Sequence, residues 1–255
     1  MAVFRLPREP IFPDPDLAEP DGLLAVGGDL SPKRLLRAYS EGIFPWYSDE
    51  TPILWWSPEP RMMLLPEELH VPRSLQRTLR SGRYRIRSDT AFGEVIRRCA
   101  TTDRPGQDGT WITGEMVEAY ERLHALGHAH SFEAWDDAGL AGGLYGVSLG
   151  AAFFGESMFA DRPDASKAAF VTAVEWMRGR GFELVDCQVD TEHLRRFGAR
   201  EIPRAEFLAR LGNALATAGR RGPWSIDDAR PREDGKIGMG RNRSRADRQG
   251  PSGQG

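Results

Sequence analysis

Cysteine is nearly missing from this chain of 255 residues: Cys99 and Cys187 are the only two. A pair so far apart makes no disulfide framework, and the sequence predicts a protein of a reducing compartment, the cytoplasm. Long apolar runs are missing too. None approaches the roughly 20 residues of a membrane-spanning helix, and Met1 to Arg5 begin no signal peptide, so no membrane partner is expected. There is no phosphate loop of the GxxxxGK type and no GxGxxG after a strand, so nothing in the chain suggests ATP or NAD. His124 and His128 share a helical spacing, with His130 just beyond. Ala125 stands where a zinc hydrolase carries glutamate, and Gly127 ends the helix between the two histidines, so no metal site is expected.

What is present is the composition of a folded domain. Hydrophobic residues make up 40% and charged residues 28%, enough to bury a core in one large domain or two modest ones. The net charge of −3 hides segregation. Glu9 to Asp29 carries six acids and no base, whereas Arg73 to Arg98 carries eight arginines against Asp89 and Glu94. Arg73, Arg77 and Arg80 fall on one helical face, and Arg83, Arg85 and Arg87 on one strand face. With no interleaved acids, such a block suits the phosphate backbone of a nucleic acid; a solvated surface is the alternative.

The chain opens with some 60 residues rich in proline, glycine and tryptophan. Ser31-Pro32 is an N-cap followed by a first-turn proline and predicts a helix through Tyr39 that Gly42 ends. Pro72 to Arg80 reads as a short helix and Arg83 to Arg87 as a strand. Thr113 to Leu126 places Met116, Tyr120, Leu123 and Leu126 on one helical stripe. Three strand-like runs follow, Ala129 to Trp135, Leu140 to Val147 and Gly150 to Glu156, then a helix from Ala165 to Arg178 and a strand from Glu183 to Val189. Short helices are expected at Thr191 to Phe197 and Arg204 to Ala218. A strand–helix–strand crossover in one sheet makes its two strands parallel, so the polar ends at Glu156 and at Gln188 would lie together, where open α/β sheets bind ligands. This order of elements is that of the N-acetyltransferase-like acyl-transfer fold, a mixed α/β sheet.

Asp186 and Gln188 are two apart on the last strand and therefore face one way, with Val185, Cys187 and Val189 facing the other. A buried carboxylate and amide need partners: either a nearby loop backbone or a substrate. Gly155-Glu156-Ser157 closes the neighbouring apolar strand and favours one shared site. Cys187 with His193 could suggest a thiol nucleophile, but alternation points Cys187 away, so packing is the expected role. Ser157 to Asp164, read as a turn, lacks the glycines that cradle a coenzyme A pyrophosphate and holds two acids, which disfavours that cofactor. Trp46 and Trp111 sit beside loop signals and could stack unpaired bases, while Trp55 and Trp56 read as core.

The stretches Asp21–Pro32, Gly42-Ile43-Phe44-Pro45-Trp46-Tyr47, Pro52–Ser57-Pro58, Gly109-Thr110-Trp111-Ile112-Thr113 and Gly142–Val147 resemble the leucyl/phenylalanyl-tRNA–protein transferase family. So do Gly155-Glu156-Ser157-Met158-Phe159, Asp186-Cys187-Gln188, Gly198-Ala199 and Ile202-Pro203-Arg204. The resemblance spans roughly residues 10 to 211. It implies a cytoplasmic enzyme that moves leucine, phenylalanine or methionine from aminoacyl-tRNA to the N-terminal arginine or lysine of an acceptor protein, marking that protein for degradation. It also implies a small N-terminal domain (residues 1–62) and an N-acetyltransferase-like domain (63–225); the polar stretch 226–255 is expected to be a disordered tail. Asp186 and Gln188 become the catalytic pair, with Asp186 as proton acceptor or orienter, and Glu156 would face the cationic acceptor. Phe153, Gly155, Met158, Phe170 and Val185 are candidate walls of the amino-acid side-chain pocket, Trp46 and Trp111 the seat of the terminal adenosine, and the six arginines the tRNA contact. An activated ester needs no ATP, metal or cofactor, and a monomer suffices. An acyl-CoA-dependent N-acyltransferase and a non-catalytic RNA-binding protein remain the alternatives.

Overall fold

Proline, glycine and short apolar runs at the start of the chain build a small sheet rather than helices. In the computed structural model, which describes residues 3–102 and 111–226, β1 (Phe4–Arg5), β2 (Leu23–Val26), β3 (Phe44–Pro45) and β4 (Leu54–Trp56) form a four-stranded sheet ordered β1-β2-β4-β3. Between β2 and β3 lies helix α1 (Pro32–Ser40), whose Ser31 side chain accepts from the Arg34 N–H as an N-cap. Its buried residues include Leu35, Ala38 and Tyr39. The side chain of Trp55 is fully buried and its Nε1 donates to the Gly27 carbonyl.

The remaining elements, in chain order, are β5 (Arg61–Leu64), α2 (Arg73–Arg80), β6 (Arg85–Ser88), α3 (Phe92–Thr101), α4 (Gly114–Ala125), β7 (Ala129–Asp136), β8 (Gly139–Leu149), β9 (Ala152–Ala160), α5 (Ala165–Arg178), β10 (Leu184–Gln188), α6 (Glu192–Arg195), β11 (Arg200–Ile202) and α7 (Arg204–Ala216). Seven strands make one mixed sheet in the order β11-β5-β10-β9-β8-β7-β6. Strands β6 to β9 form an antiparallel meander; α5 then crosses over, and β10 returns parallel to β9. One face packs on α5, with Phe153, Val185 and Cys187 among its residues. The other packs on α1, α3, α4 and α7, with Phe154 and Leu184 on that side. The acyl-transfer arrangement expected from the order of elements is therefore the one adopted.

Several local readings change. The strand expected to stop at Glu156 continues to Ala160, because its backbone keeps pairing with β8 past a bulge: Tyr145 faces Ser157 and Gly146 faces Gly155, leaving Glu156 as the extra residue. The first half of the segment read as a turn, Ser157–Ala160, is thus strand. The reversal before β9 falls at Gly150-Ala151, where Gly150 has φ +57. Arg83 precedes its strand rather than belonging to it. The tail expected from 226 onward lies outside the described residues except for Ile226, which is buried and donates its N–H to Ser88 Oγ.

Candidate active site

Strands β9 and β10 pair only as far as Phe154 and Asp186, then part. Beyond that point Gln188 adopts φ +63, a left-handed conformation unusual for a side-chain-bearing residue, and the register against β5 shifts between Asp186 and Gln188. The twist redirects the Gln188 side chain across the gap, where Nε2 donates to Glu156 Oε1 at 3.0 Å. In its ionised form Glu156 only accepts, so this contact takes the amide nitrogen and leaves the amide oxygen as the end able to accept from an incoming group. Glu156 owes its place between the parted strands to the bulge in β9.

Below this pair lies a second one. Arg61, at the start of β5, donates to both oxygens of Asp186, Nε to Oδ1 at 2.8 Å and Nη2 to Oδ2 at 2.6 Å. The Asp186 carboxylate also accepts the Gln188 backbone N–H at 3.0 Å. Both charges are sealed from solvent, and the guanidinium lies over the rings of Phe44 (4.8 Å) and Phe207 (4.7 Å). A planar, bidentate pair with its acid oxygens fully engaged is the geometry that makes a buried ion pair tolerable.

Glu156 is held from the other side by Tyr39 of α1 and Tyr120 of α4, whose hydroxyls donate to Oε1 (2.7 Å) and Oε2 (2.9 Å); the two hydroxyls also touch each other. Burial pushes the Glu156 carboxyl up to about 7, and the nearby Asp186 charge adds to this, while the three donors Tyr39, Tyr120 and Gln188 pull it down. Burial likewise raises both tyrosines well above their ordinary value. Cys187 belongs to the α5 side, and burial drives its thiol far up, so it stays protonated and makes a poor nucleophile.

A cavity of about 320 Å³ opens at this junction. Asp186, Gln188 and Glu156 line it together with Phe153, Gly155, Met158, Phe170 and Val185, and half-buried Trp46 and Trp111 stand at it too. Every residue singled out for the catalytic, acceptor, side-chain and adenosine roles is thus drawn to one place. The arginines are not part of it. Arg73, Arg77 and Arg80 on α2 and Arg83, Arg85 and Arg87 on and before β6 are exposed; Arg85 lies 3.9 Å from Asp137, and Arg83 and Arg87 lie over the rings of Tyr84 and Trp135. No group of three or more histidines, cysteines or acids among the described residues is placed to hold a metal ion.

Arg61, Tyr39 and Tyr120 escaped the sequence reading. The two tyrosines sit on the apolar stripes of their helices and look like core. Arg61 did leave a signal: a single charge heading the apolar run Met62-Met63-Leu64-Leu65, which is bounded by Pro60 and Pro66.

The family described as leucyl/phenylalanyl-tRNA protein transferase matches residues 63–212, and the N-terminal domain of the same family matches residues 28–59. A leucyl/phenylalanyl-tRNA–protein transferase of Anaeromyxobacter dehalogenans (strain 2CP-C) is 74% identical over 231 residues, 91% of this chain and 99% of that one. One from Myxococcus xanthus (strain DK1622) is 61% identical over 84% of this chain and 92% of its own. Among solved structures, an aminoglycoside acetyltransferase from an uncultured soil metagenomic sample is 17% identical with a TM-score of 0.34, over 46% of this chain and 86% of that one. With matches of this length on both sides of the parted strands, the chain belongs to the leucyl/phenylalanyl-tRNA–protein transferase family and is an aminoacyltransferase.

Proposed function

We propose that this aminoacyltransferase takes leucine, phenylalanine or methionine from its tRNA and joins it to the α-amino group of an N-terminal arginine or lysine, tagging the acceptor protein for degradation. It works as a cytoplasmic monomer without cofactor or metal. The observation that carries the reading is the cavity itself. Apolar walls from β9, β10 and α5 meet an acid and an amide at the place where the two strands part. An unbranched-at-β apolar side chain fills such walls, while valine and isoleucine are stiff next to the carbonyl.

The chemistry asks little of the protein. The neutral α-amine attacks the ester carbonyl, a carbon–nitrogen bond forms, and the carbon–oxygen bond to the ribose breaks. The proton lost by the amine balances the one gained by the departing ribose hydroxyl. What the enzyme supplies is orientation and charge. Gln188, its nitrogen committed to Glu156, offers its amide oxygen to an amine hydrogen. Glu156 presents negative charge to the cationic acceptor end. Asp186, with its oxygens engaged by Arg61 and the Gln188 N–H, positions Gln188 rather than accepting a proton. Trp46 and Trp111 stack the terminal adenosine, and the arginines of α2 and the segment Arg83–Arg87 hold the tRNA backbone.

The test mixes leucyl-, phenylalanyl- and methionyl-tRNA, each labelled on the amino acid, with a protein beginning in arginine and with the same protein beginning in glutamate. Label should pass only to the arginine form. Equal labelling of both, or equal transfer of valine and leucine, would overturn the reading, as would stabilisation by coenzyme A in a protein that leaves aminoacyl-tRNA untouched.

A further inference from the structure

After α7 the chain does not leave the molecule. It runs past Gly150 and Gly127, so close that a side chain at Gly127 would meet the Gly222 nitrogen at 2.4 Å. It then inserts Trp224 into the α5 face of the sheet. The Trp224 backbone N–H donates to Asp89 Oδ2 at 2.6 Å, and the next anchor is the Ile226 N–H on Ser88. The buried indole stacks on His130 (3.6 Å between centroids, 4° apart) and packs against Trp176 of α5 at 4.8 Å, Phe182 at 5.6 Å and Phe153 of β9 at 6.1 Å.

Two of these neighbours belong to walls of the cavity. Phe153 lines it directly, and Trp176 rides on the helix whose Phe170, Ala173 and Met177 line it from the other side. The Trp224 indole lies behind both, on a segment beyond the stretch that the family match covers. Close-packed aromatics transmit position: an indole removed leaves a void into which the neighbouring ring can retreat.

We propose that this C-terminal arm is a positioning element of the amino-acid pocket, with Trp224 setting the depth of the pocket through Phe153 and α5 and so the balance between phenylalanine and leucine. This rests on the cavity being the seat of the transferred side chain, so the experiment carries a control for that reading. The ratio of kcat/KM for phenylalanyl- over leucyl-tRNA is measured in the full chain and in Trp224→Ala, Trp224→Phe and Met158→Ala, with uncharged-tRNA affinity and thermal melting followed in parallel. Trp224→Ala should raise the ratio about tenfold, as a wall receding by about one methylene allows, with uncharged-tRNA affinity unmoved. Trp224→Phe should bring the ratio back to within about twofold, because an aromatic of intermediate volume still supports the ring.

Combining Trp224→Ala with Phe153→Leu should give less than the product of the single effects, since both act on one ring; a merely structural loss would leave them independent. If Met158→Ala, in the wall itself, leaves the ratio unchanged, the cavity is not the side-chain pocket and both readings fall. If Met158→Ala moves the ratio but a folded Trp224→Ala lowers both substrates equally, only the arm's role is overturned. Should Trp224→Ala show no cooperative melt, Trp224→Leu is read by the same criterion.

Discussion

The arginine surface of α2 and the segment Arg83–Arg87 and the acid–amide junction between β9 and β10 both concentrate charge, and they hold it in opposite ways. On the surface, six cations within fifteen residues stay exposed, and Arg73, Arg77 and Arg80 make no ion pair among the described residues. At the junction every charge is buried and answered by a partner far along the chain: Arg61 reaches Asp186 across 125 positions, and Tyr39 reaches Glu156 across 117. Water stabilises the first set cheaply and leaves it available to a polyanion. The second set is stable only as an assembly, and that interdependence is what holds Gln188 in one orientation.

The comparison breaks most visibly at Arg61. Arg61→Met leaves the Asp186 carboxylate buried and unpaired, and should cost about 3–5 kcal/mol in urea denaturation and abolish transfer. Adding Asp186→Leu should restore most of the stability but none of the activity. A single variant as stable as the parent would mean that the pair does not hold the junction together.

Gln188→Ala should keep the fold and lower kcat by roughly 10²–10³, with KM for aminoacyl-tRNA little changed, as expected for an interaction strongest in the transition state. Because Gln188 sits at φ +63, Gln188→Gly removes the same side chain without backbone strain and should be more stable than the alanine form by about 1 kcal/mol. Equal kcat losses in the two would separate chemistry from folding; activity retained in both would remove Gln188 from the reaction.

Glu156 sharpens the contrast through pH. An unstrained carboxyl titrates near 4.5, and this one about 7. Between those values the folded protein keeps a proton that the unfolded chain has lost, so stability falls as pH rises through the window, by on the order of 3 kcal/mol. The Glu156 contribution is greatest below 4.5 and fully lost above about 7. Glu156→Gln should flatten that decline when unfolding is compared at about pH 5 and about pH 8.

The smallest effect belongs to the surface. Replacing Arg77 and Arg80 by alanine should leave stability within about 0.5 kcal/mol. It should make the dependence of log tRNA affinity on log salt shallower by about 1.4–1.8, from a slope of about −4 to −5 when all six arginines touch phosphates. An unchanged slope would return these residues to ordinary solvated surface.

The same contrast explains what the sequence made legible. Patterns that repeat locally could be read: the Ser31-Pro32 start of α1, the stripe of α4, the α5 crossover and the arginine spacing of α2; alternation alone did not place Gln188, whose left-handed backbone turns its side chain to Glu156. Features set by distant partners could not. Strand β5 is buried along its whole length, so it shows no alternation, and its one charge looks like a loop residue until Asp186 is placed beside it. The end of β9 is hidden in the sequence because Glu156 and Ser157 are polar, although the β8 ladder continues beneath them. Helix α3 gave no cap signal: Ala91 occupies its N-cap and makes no side-chain bond there.

The tyrosine clasp on Glu156 carries an inventory of hydrogens. Tyr39 and Tyr120 each spend their only hydroxyl hydrogen on the carboxyl, yet their two oxygens also touch. Three close oxygen–oxygen contacts need three hydrogens, and a protonated Glu156 brings the third by donating to one tyrosine hydroxyl, which then turns its own hydrogen to the other. Once that carboxyl ionises, two hydrogens must serve three contacts, and one contact has to lengthen. Tyr39 is rooted in α1 and Tyr120 in α4, so the spacing between a helix of the N-terminal segment and a helix beside the large sheet is tied to the occupancy of a single proton.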